Sequence, residues 1–332
     1  WLNGINLVSN IKPVIQARRF PFRDQTWPNF LDTDLDMLHP GRIGYKVLEV
    51  LLERGEIQLA AFQVRALHHL LKHASYGRDT GTLIGAGTGS GKTKAYYLPV
   101  FIWLSENLIH DDKFWTRAVS IYPRVELLKD QLRECIVQTR LLNPVLTKNS
   151  LRPVAIAAFF GLTPPRASSI SQQDNNYYRW EKTPDGYICP FLLCPECKSA
   201  LVWPEIEYLQ EVEGNQNGLI GLHELLKCTN KDCSVVITGQ ELRLTRGHME
   251  QRPPDIVFTT NEMLNRVLAG DTNQHVLGLN PGKTPRFVLL DEAHIYEGIT
   301  GAHSAYVLRR WRYLVSLYNL RSAVTFVGLT AT

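Results

Sequence analysis

The sequence predicts an α/β fold in which a parallel β-sheet carries helices on both faces. Six short apolar runs have the length of buried strands and stand at residues 82–85, 118–122, 154–159, 256–259, 287–290 and 324–329. Helical patterns alternate with these runs, for instance at residues 125–139, 261–269 and 302–318. This alternation is typical of βαβ units around a parallel sheet. Ligands of such sheets bind beyond the carboxyl ends of the strands, so the residues that follow each run are the candidates for a site.

Two regions interrupt the alternation. Residues 1–56 contain aromatic, proline-rich sequence and one predicted helix at 45–54, and form an N-terminal extension to which the sequence assigns no function. Residues 164–253 hold polar sequence, four clustered cysteines and an acidic stretch, and are predicted to be an insertion between two core strands. The α/β domain would therefore consist of residues 57–163 and 254–332.

The composition is that of a soluble globular protein. Apolar residues make up 44 % of the chain, and no stretch approaches the roughly 18 consecutive apolar residues of a membrane span. A formal charge of +4 tolerates a polyanionic partner without requiring one. Six cysteines are too few for a disulfide scaffold and no signal peptide opens the chain, which indicates the cytoplasm. Because the sequence begins at Trp1 and stops at Thr332, directly after an apolar run, we expect it to be part of a longer polypeptide.

A glycine-rich loop follows the first apolar run and leads into a predicted helix that begins near Lys92. Glycines let the backbone wrap around phosphates, and successive N–H groups together with the helix N-terminus face the anion. Lys92 would add a point charge at the β- and γ-phosphates of ATP, and the Thr93 hydroxyl can ligate magnesium. The alternative, a glycine-rich turn with an accidental lysine, is disfavoured by the strand and the helix on either side. The predicted nucleotide-binding residues are Ala86, Gly87, Thr88, Gly89, Ser90, Gly91, Lys92 and Thr93.

Two adjacent carboxylates, Asp291 and Glu292, follow the apolar run at 287–290. Taken alone, an acidic pair after a strand is most often a helix N-cap. Combined with the phosphate loop, the pair predicts an ATP-hydrolysing site: Asp291 would hold magnesium, and Glu292 would orient and polarise the water that attacks the γ-phosphate. His294 would link this site to the last motif of the chain.

Four cysteines stand in two short hooks, Cys194/Cys197 and Cys228/Cys233, about thirty residues apart. Each hook can place two thiolates on one metal, and four thiolates suit tetrahedral zinc, which would fold a small polar insertion. Cys189 is near enough in sequence to replace one ligand, and an iron–sulfur cluster is an alternative occupant. Unrelated reduced cysteines are the other alternative, and the apolar flanks of Cys135 fit that description.

Residues 57–332 resemble the superfamily 2 helicases, in which a RecA-like sheet carries ordered motifs. The resemblance implies that Gln63, in the stretch 61–66, reads the adenine edge; an exposed glutamine at a helix start is the alternative. Replacement of the first loop glycine, as at Ala86, is common in helicases. The stretch 122–131 is similar to the motif that touches the nucleic-acid backbone, through Arg124.

Three further stretches match the family in order. Gly161 and Thr163 occupy a glycine-containing backbone contact, and Thr259 and Thr260 occupy a motif in which a hydroxyl and a helix N-terminus grip a phosphate. The stretch Thr330–Thr332 occupies the motif whose two hydroxyls, those of Thr330 and Thr332, couple the ATP state to the grip on nucleic acid.

The stretch 291–303, together with 307–310, is similar to the bacterial YprA/MrfA branch of DNA helicases, which is also represented among large phage-defence helicases. This resemblance implies a DNA-directed translocase that moves 3′ to 5′ on single-stranded or duplex DNA, a second RecA-like domain elsewhere in the polypeptide, and other subunits of a defence or repair system. The sequence departs from the pattern in two ways: the cysteine-bearing insertion is not general in the superfamily, and the C-terminal domain of the branch is absent.

The sequence therefore predicts the nucleotide-binding half of an ATP-dependent helicase or translocase. The alternative is an ATP-gated interaction module that changes conformation and binds nucleic acid or a protein without unwinding. Intact Lys92 and Glu292 favour turnover of ATP over that alternative.

Overall fold

The computed structural model of the chain describes residues 20–31, 34–87, 89–171, 176–270 and 272–331. Thr88 of the phosphate loop and Thr332 of the last motif lie outside the described residues, as do residues 1–19 of the N-terminal extension and residues 172–175 of the insertion. The strands are β1 Arg23–Gln25, β2 Leu59–Ala60, β3 Thr80–Gly85, β4 Ala118–Tyr122, β5 Ile156–Phe159, β6 Glu181–Thr183, β7 Gly186–Leu193, β8 Ala200–Pro204, β9 Leu225–Cys228, β10 Val236–Thr238, β11 Leu242–Arg243, β12 Ile256–Thr260, β13 Phe287–Leu290 and β14 Thr325–Thr330. The helices are α1 Ile43–Leu51, α2 Ala61–Ala74, α3 Lys92–His110, α4 Val125–Lys148, α5 Glu205–Gln216, α6 Arg246–Gln251, α7 Asn261–Ala269 and α8 Gly298–Tyr318.

Seven parallel strands form the main sheet, in the order β11-β5-β12-β4-β13-β14-β3. Alternate residues of each strand point to opposite faces. Ile256 and Phe258 join the core under α1 to α4, whereas Val257 joins a second core under α7 and α8. Because helices cover both faces of the sheet, its strands are apolar throughout. For this reason the apolar runs of the sequence predict their positions. The predicted fold class, a parallel sheet with helices on both faces, is confirmed.

The insertion folds as a five-stranded antiparallel sheet in the order β10-β9-β8-β7-β6. It lies against α4 of the main domain, where Arg133 donates to the carbonyl oxygens of Cys194 at 3.2 Å and Pro195 at 3.0 Å. Arg140, two turns further along α4, donates to the carbonyl oxygen of Val236 at 2.8 Å. The cysteine-bearing sheet is therefore fastened to the helix whose N-terminus carries Arg124.

One strand of the main sheet comes from inside the range 164–253 that the sequence assigns to the insertion. The two-residue strand β11 pairs in parallel with β5, with Leu242 opposite Ile156. The chain thus returns to the main sheet at its edge before it forms the buried strand β12.

The N-terminal extension contributes α1, which packs on α3 and whose Gly44 N–H donates to Glu106 Oε1 at 2.8 Å. Its strand β1 pairs antiparallel with β2, with Arg23 opposite Ala60. This pairing brings the extension next to the first turn of α2. Within the part of the chain that the structure describes, no helix is long and apolar enough to cross a membrane.

Candidate functional site

The phosphate loop connects β3 to α3 at the carboxyl edge of the main sheet. Gly89 and Gly91 have φ values of 76° and 87°, a left-handed backbone that a side chain rarely tolerates. The loop therefore turns tightly, and the first N–H groups of α3, beginning at Lys92, are left without intrahelical partners. The Ser90 hydroxyl is buried and has no hydrogen-bond partner among the described residues. These features suit a bound anion with several oxygen acceptors.

Gln63 supports this loop from α2. Its side chain is 2 % exposed; Nε2 donates to the Gly91 carbonyl oxygen at 2.8 Å, and Oε1 accepts the Ala60 N–H at 2.7 Å. The resemblance implied a contact with the adenine edge. In the structure, both ends of the Gln63 side-chain amide are hydrogen-bonded to the backbone, and a contact with adenine remains a proposal.

The acidic pair lies at the end of β13. Asp291 donates its N–H to the Ile121 carbonyl at 3.2 Å and accepts the Glu292 N–H on Oδ1 at 2.8 Å. Glu292 has a left-handed backbone, with φ 48° and ψ 49°. Such a conformation in a residue other than glycine costs on the order of 1–3 kcal/mol and is concentrated at functional sites.

Electrostatics connect the acidic pair to the phosphate loop. Burial raises the pKa of Asp291 and the charge of Glu292 adds to this, while the Glu292 N–H and the charge of Lys92 act in the opposite direction. Lys92 and Asp291 are 199 positions apart in the sequence, but they follow the carboxyl ends of β3 and β13, two parallel strands with β14 between them. His294 lies with Nδ1 at 3.2 Å from Glu292 Oε2, so the fourth predicted catalytic side chain belongs to the same cluster.

The donor set fits magnesium and a nucleotide phosphate. The carboxylate of Asp291 is largely withdrawn from water, and Glu292 Oε2 is a buried oxygen whose 3.2 Å approach to His294 Nδ1 does not have the geometry of a hydrogen bond. Hard oxygen donors of this kind, together with the Thr93 hydroxyl at the start of α3, are what Mg²⁺ prefers. A divalent cation would compensate the two adjacent carboxylates, which otherwise repel each other.

Two features of this edge were not predicted from the sequence. Thr330, at the end of β14, accepts the Ala86 N–H on its carbonyl oxygen at 3.2 Å and so ties the last motif to the start of the phosphate loop. Tyr296 has a buried hydroxyl to which no described residue offers a hydrogen bond, and burial followed by the charge of Asp291 raises its pKa. A tyrosine five residues after an acidic strand end is the only sequence signal that could have indicated it.

The predicted nucleic-acid residues lie on the other half of the same edge, after β4, β5 and β12. A groove of about 260 Å³ is lined by Pro123, Val125, Gly161, Tyr177, Thr260, Asn261, Glu262, Met263 and Arg266. Arg124, between two of these residues, is exposed at the N-terminus of α4. The structure thus brings Arg124, Gly161 and Thr260 to one surface.

The hydroxyls of the predicted threonines are largely used inside the protein. Thr163 Oγ1 donates to the Ala158 carbonyl at 2.5 Å and Thr259 Oγ1 donates to the Phe159 carbonyl at 2.8 Å, and both side chains are buried. Thr260 Oγ1 accepts the Met263 N–H at 3.2 Å and caps α7. Thr163 and Thr259 therefore shape the loops on which a phosphate could rest, rather than presenting free hydroxyls.

The four predicted cysteine ligands converge. The sulfur atoms of Cys194 and Cys233 are 3.6 Å apart, those of Cys197 and Cys228 are 3.3 Å apart, and all four lie within 4.8 Å of one another. Zn–S bonds of about 2.3 Å in a tetrahedron require sulfur atoms about 3.8 Å apart, so the cluster could hold zinc. Cys189 lies outside this group on β7, buried, and burial raises the pKa of its thiol to about 12.

Comparison with known proteins shows which family part of this chain resembles. The model of the DEAD/DEAH box helicase family matches residues 60–153. Over 285 residues, 79 % of this chain, the sequence is 26 % identical to the Druantia protein DruE of Escherichia coli (strain UMEA 4076-1), of which the match covers 16 %. Over 81 residues, 24 % of this chain, it is 36 % identical to the ATP-dependent helicase hrq1 of Schizosaccharomyces pombe, of which the match covers 7 %. The chain thus spans a small part of the length of these relatives.

Among solved structures, the DUF1998 helicase MrfA bound to DNA aligns with 95 % of this chain and 27 % of its own, at 19 % identity and a TM-score of 0.48. The family match falls on the segment from the start of α2 through the phosphate loop to the end of α4, which holds Gln63, Lys92 and Arg124, whereas the acidic pair lies outside it. Residues 60–153 of this chain are therefore similar to the DEAD/DEAH box helicases, over the segment that holds the phosphate loop.

Proposed function

We propose that this chain is the nucleotide-binding half of an ATP-dependent nucleic-acid helicase or translocase that acts on DNA. The observation that carries the proposal is the meeting of Lys92 with Asp291 and Glu292 at the carboxyl edge of one sheet. A phosphate loop beside an acidic pair supplies both requirements of phosphoryl transfer, positioning of the phosphates and stabilisation of their charge.

Each residue of the site has a role in this mechanism. The N–H groups from Gly89 to Thr93 and the Lys92 ammonium bind the β- and γ-phosphates, and Thr93 and Asp291 hold magnesium. Magnesium, when bound, neutralises charge on the phosphate oxygens. Glu292 orients the attacking water and takes up its proton.

The response to ATP is transmitted through the contacts of the loop. His294 beside Glu292, and Thr330 bonded to Ala86, connect the γ-phosphate end of the site to the last motif, whose second hydroxyl would be that of Thr332. A second RecA-like domain would close on this surface, and hydrolysis would reopen the cleft.

The surface with Arg124, Gly161 and Thr260 is the proposed grip on the DNA backbone, and Thr163 and Thr259 hold its loops in place. Contacts of this kind go to phosphates and carry no sequence information. The choice of DNA rests on the resemblance of residues 291–303 to a branch of DNA helicases. Membership of a defence or repair system with further subunits is proposed from the same resemblance, and a cytoplasmic location is proposed from the cysteine content.

The cysteine cluster is the proposed zinc site, and it gives the insertion its stability. A tetrahedral zinc site can supply folding free energy to a small unit, here in addition to the buried aromatic side chains Trp180, Phe191 and Trp203 that the insertion contributes to the core. Its attachment to α4 through Arg133 would let the insertion support the helix that begins beside Arg124.

The deciding experiment is the steady-state ATPase rate of the full-length protein with and without single-stranded DNA. We expect stimulation by DNA, and in Glu292→Gln a loss of turnover by a factor of roughly 10² or more, as for removal of a positioned general base. The proposal is refuted if DNA has no effect and Glu292→Gln behaves like the unmodified protein. That result would instead favour an ATP-gated interaction module.

A further inference from the structure

We propose that the insertion takes part in binding the nucleic acid, with Tyr177 as a stacking platform for an unpaired base and Arg246 and Arg266 as contacts to the neighbouring phosphates. This inference rests on the proposed function, since it extends the DNA surface described above. We call the site the Tyr177 groove and define it by Gly161, Tyr177, Thr260 and Arg266, which line it, with Arg246 bonded to the neighbouring Phe160.

The position of Tyr177 is the first support. It belongs to a short 3₁₀ turn of the insertion, Asn176–Tyr178, yet it lines the same groove as residues that follow β4, β5 and β12. A Cβ atom placed on Gly161 would lie 3.9 Å from the Tyr177 hydroxyl. The insertion therefore reaches the carboxyl edge of the main sheet, where the helicase motifs are.

The ring of Tyr177 is held but not covered. It is 55 % exposed, and it meets the ring of Tyr178 edge to face, with centroids 5.1 Å apart and an angle of 88° between the planes. Tyr178 is itself partly buried and packs against the main hydrophobic core. An aromatic ring that is fixed on one side and open to solvent can receive the flat face of a base.

Arg246 is the second support. Its Nη2 donates to the Phe160 carbonyl at 3.1 Å, and its guanidinium carbon lies 5.2 Å from the centre of the Phe159 ring. The guanidinium is thus fixed on the loop that contains Gly161. The side chain is only partly buried, so its guanidinium brings positive charge to the edge of the groove.

Arg266 adds a second cation. Its ion pair with Glu262 is long, at 3.5 Å, between two exposed side chains. Such a surface pair is worth little and is readily exchanged for a phosphate. Arg266 in the groove, together with Arg246 bonded to the Phe160 carbonyl oxygen next to Gly161, favours a polyanion as occupant.

The chemistry favours a single strand over a duplex or a protein. Tyr177 can stack only on a base that is not already stacked inside a duplex, whereas a polyanionic duplex would use the arginines alone. The Thr260 cap leaves the N-terminus of α7 at the same groove, which suits a phosphate next to the stacked base.

The test is the affinity of the full-length protein for a labelled oligothymidine strand, measured by fluorescence anisotropy. Tyr177→Ala should weaken binding roughly 5- to 150-fold, and Tyr177→Phe, which keeps the ring, should bind like the unmodified protein. Tyr313→Ala, at a tyrosine of α8 that is 61 % exposed and lines no part of the groove, should have no effect. On a strand of abasic sites, Tyr177→Ala and the unmodified protein should bind equally.

The variant Arg266→Ala provides an independent test of the same groove. It should lower the slope of log affinity against log salt by about 1, because one fewer phosphate is neutralised. If the unmodified protein binds single strands and is stimulated by them, but Tyr177→Ala and Arg266→Ala match Tyr313→Ala, the Tyr177 groove is refuted and the proposed function stands. If the unmodified protein binds no single strand, both fail.

Discussion

Gln63 and Gly91 are joined by a hydrogen bond of 2.8 Å, from the side-chain Nε2 to the backbone carbonyl oxygen. Gly91 is the last residue before α3, so this bond fixes the point where the phosphate loop becomes a helix. The other end of the amide is held by the Ala60 N–H at 2.7 Å. Gln63 therefore acts as a brace between α2 and the nucleotide site.

Replacing Gln63 by alanine should raise the KM for ATP about 5- to 10-fold, because a net hydrogen bond contributes about 1–1.5 kcal/mol. The comparison with GTP decides what the residue does. A brace affects both nucleotides equally, whereas a contact with the adenine edge, as the resemblance implies, affects ATP alone. An unchanged KM for both nucleotides would show that neither role holds.

Gly91→Ala should damage the site more directly. The residue has a φ of 87°, and a Cβ there would lie 2.8 Å from Gln63 Nε2 and 3.3 Å from Arg23 Nη2. We expect nucleotide binding to weaken by at least 10-fold, since a non-glycine residue in this backbone region costs on the order of 1–3 kcal/mol. Gly77→Ala is the matched control, because nothing lies within 4 Å of its Cβ position and its φ is not positive. Equal nucleotide affinities for the two variants, by isothermal titration, would contradict the geometry of the loop.

The zinc assignment predicts a change in metal content. The double variant Cys194→Ser/Cys228→Ser removes one thiolate from each hook and should lower the zinc content of the full-length protein by one equivalent per chain, measured by mass spectrometry of the metals. Cys189→Ser should keep its zinc, because Cys189 lies outside the group of four sulfur atoms. Unchanged zinc in the double variant would refute the ligand set, and a loss of zinc in Cys189→Ser would return Cys189 to it.

The parts that could be predicted from the sequence are those with a local signal. Buried parallel strands are continuous apolar runs, so β4 and β13 were found within a residue of their ends. The two cysteine hooks were legible because thiolate spacing within a hook is set by local geometry. By contrast, β11 has two residues and no periodicity, and its place in the main sheet depends on its pairing with β5.

The parts that could not be predicted depend on partners far along the chain. Thr259 was expected to grip phosphate, and its hydroxyl is instead bonded to Phe159, 100 residues away. Likewise, Tyr177 stands in a polar stretch without periodicity, and only the folded chain brings it beside Gly161. Motif order indicates which loops meet at an edge, but the direction of each side chain is decided by tertiary packing.

The junction between the insertion and the main domain gives a prediction about pH. Glu224 is buried and accepts four hydrogen bonds: from the N–H groups of Leu244 at 2.7 Å and Thr245 at 3.0 Å, from Thr245 Oγ1 at 2.6 Å, and from His248 Nδ1 at 2.7 Å. Burial opposes ionisation of this carboxyl, but the imidazole of His248 and the other donors outweigh it and hold the pKa of Glu224 below its usual range.

The sign follows from the direction of that shift. A carboxyl whose pKa is lower in the folded state contributes stability that is fully present above its unfolded pKa, about 4.3, and is lost as the pH falls through the folded pKa. Ionised Glu224 should therefore stabilise the junction at neutral pH, and this stabilisation should be lost below about pH 4.3. Glu224→Gln should loosen it at pH 7 as well, by about 3–5 kcal/mol, because three buried donors and an imidazole lose their anionic acceptor.

Hydrogen exchange at the Leu244 and Thr245 amides measures this directly, since both N–H groups are bonded to Glu224. Glu224→Gln should raise their exchange rates at pH 7 by a factor of roughly 10² to 10⁴, which corresponds to that loss of local stability. Glu250→Gln removes one negative charge from an exposed position of α6, the helix that carries His248, and should leave these exchange rates unchanged. Equal protection in the two variants would mean that Glu224 contributes nothing to the junction.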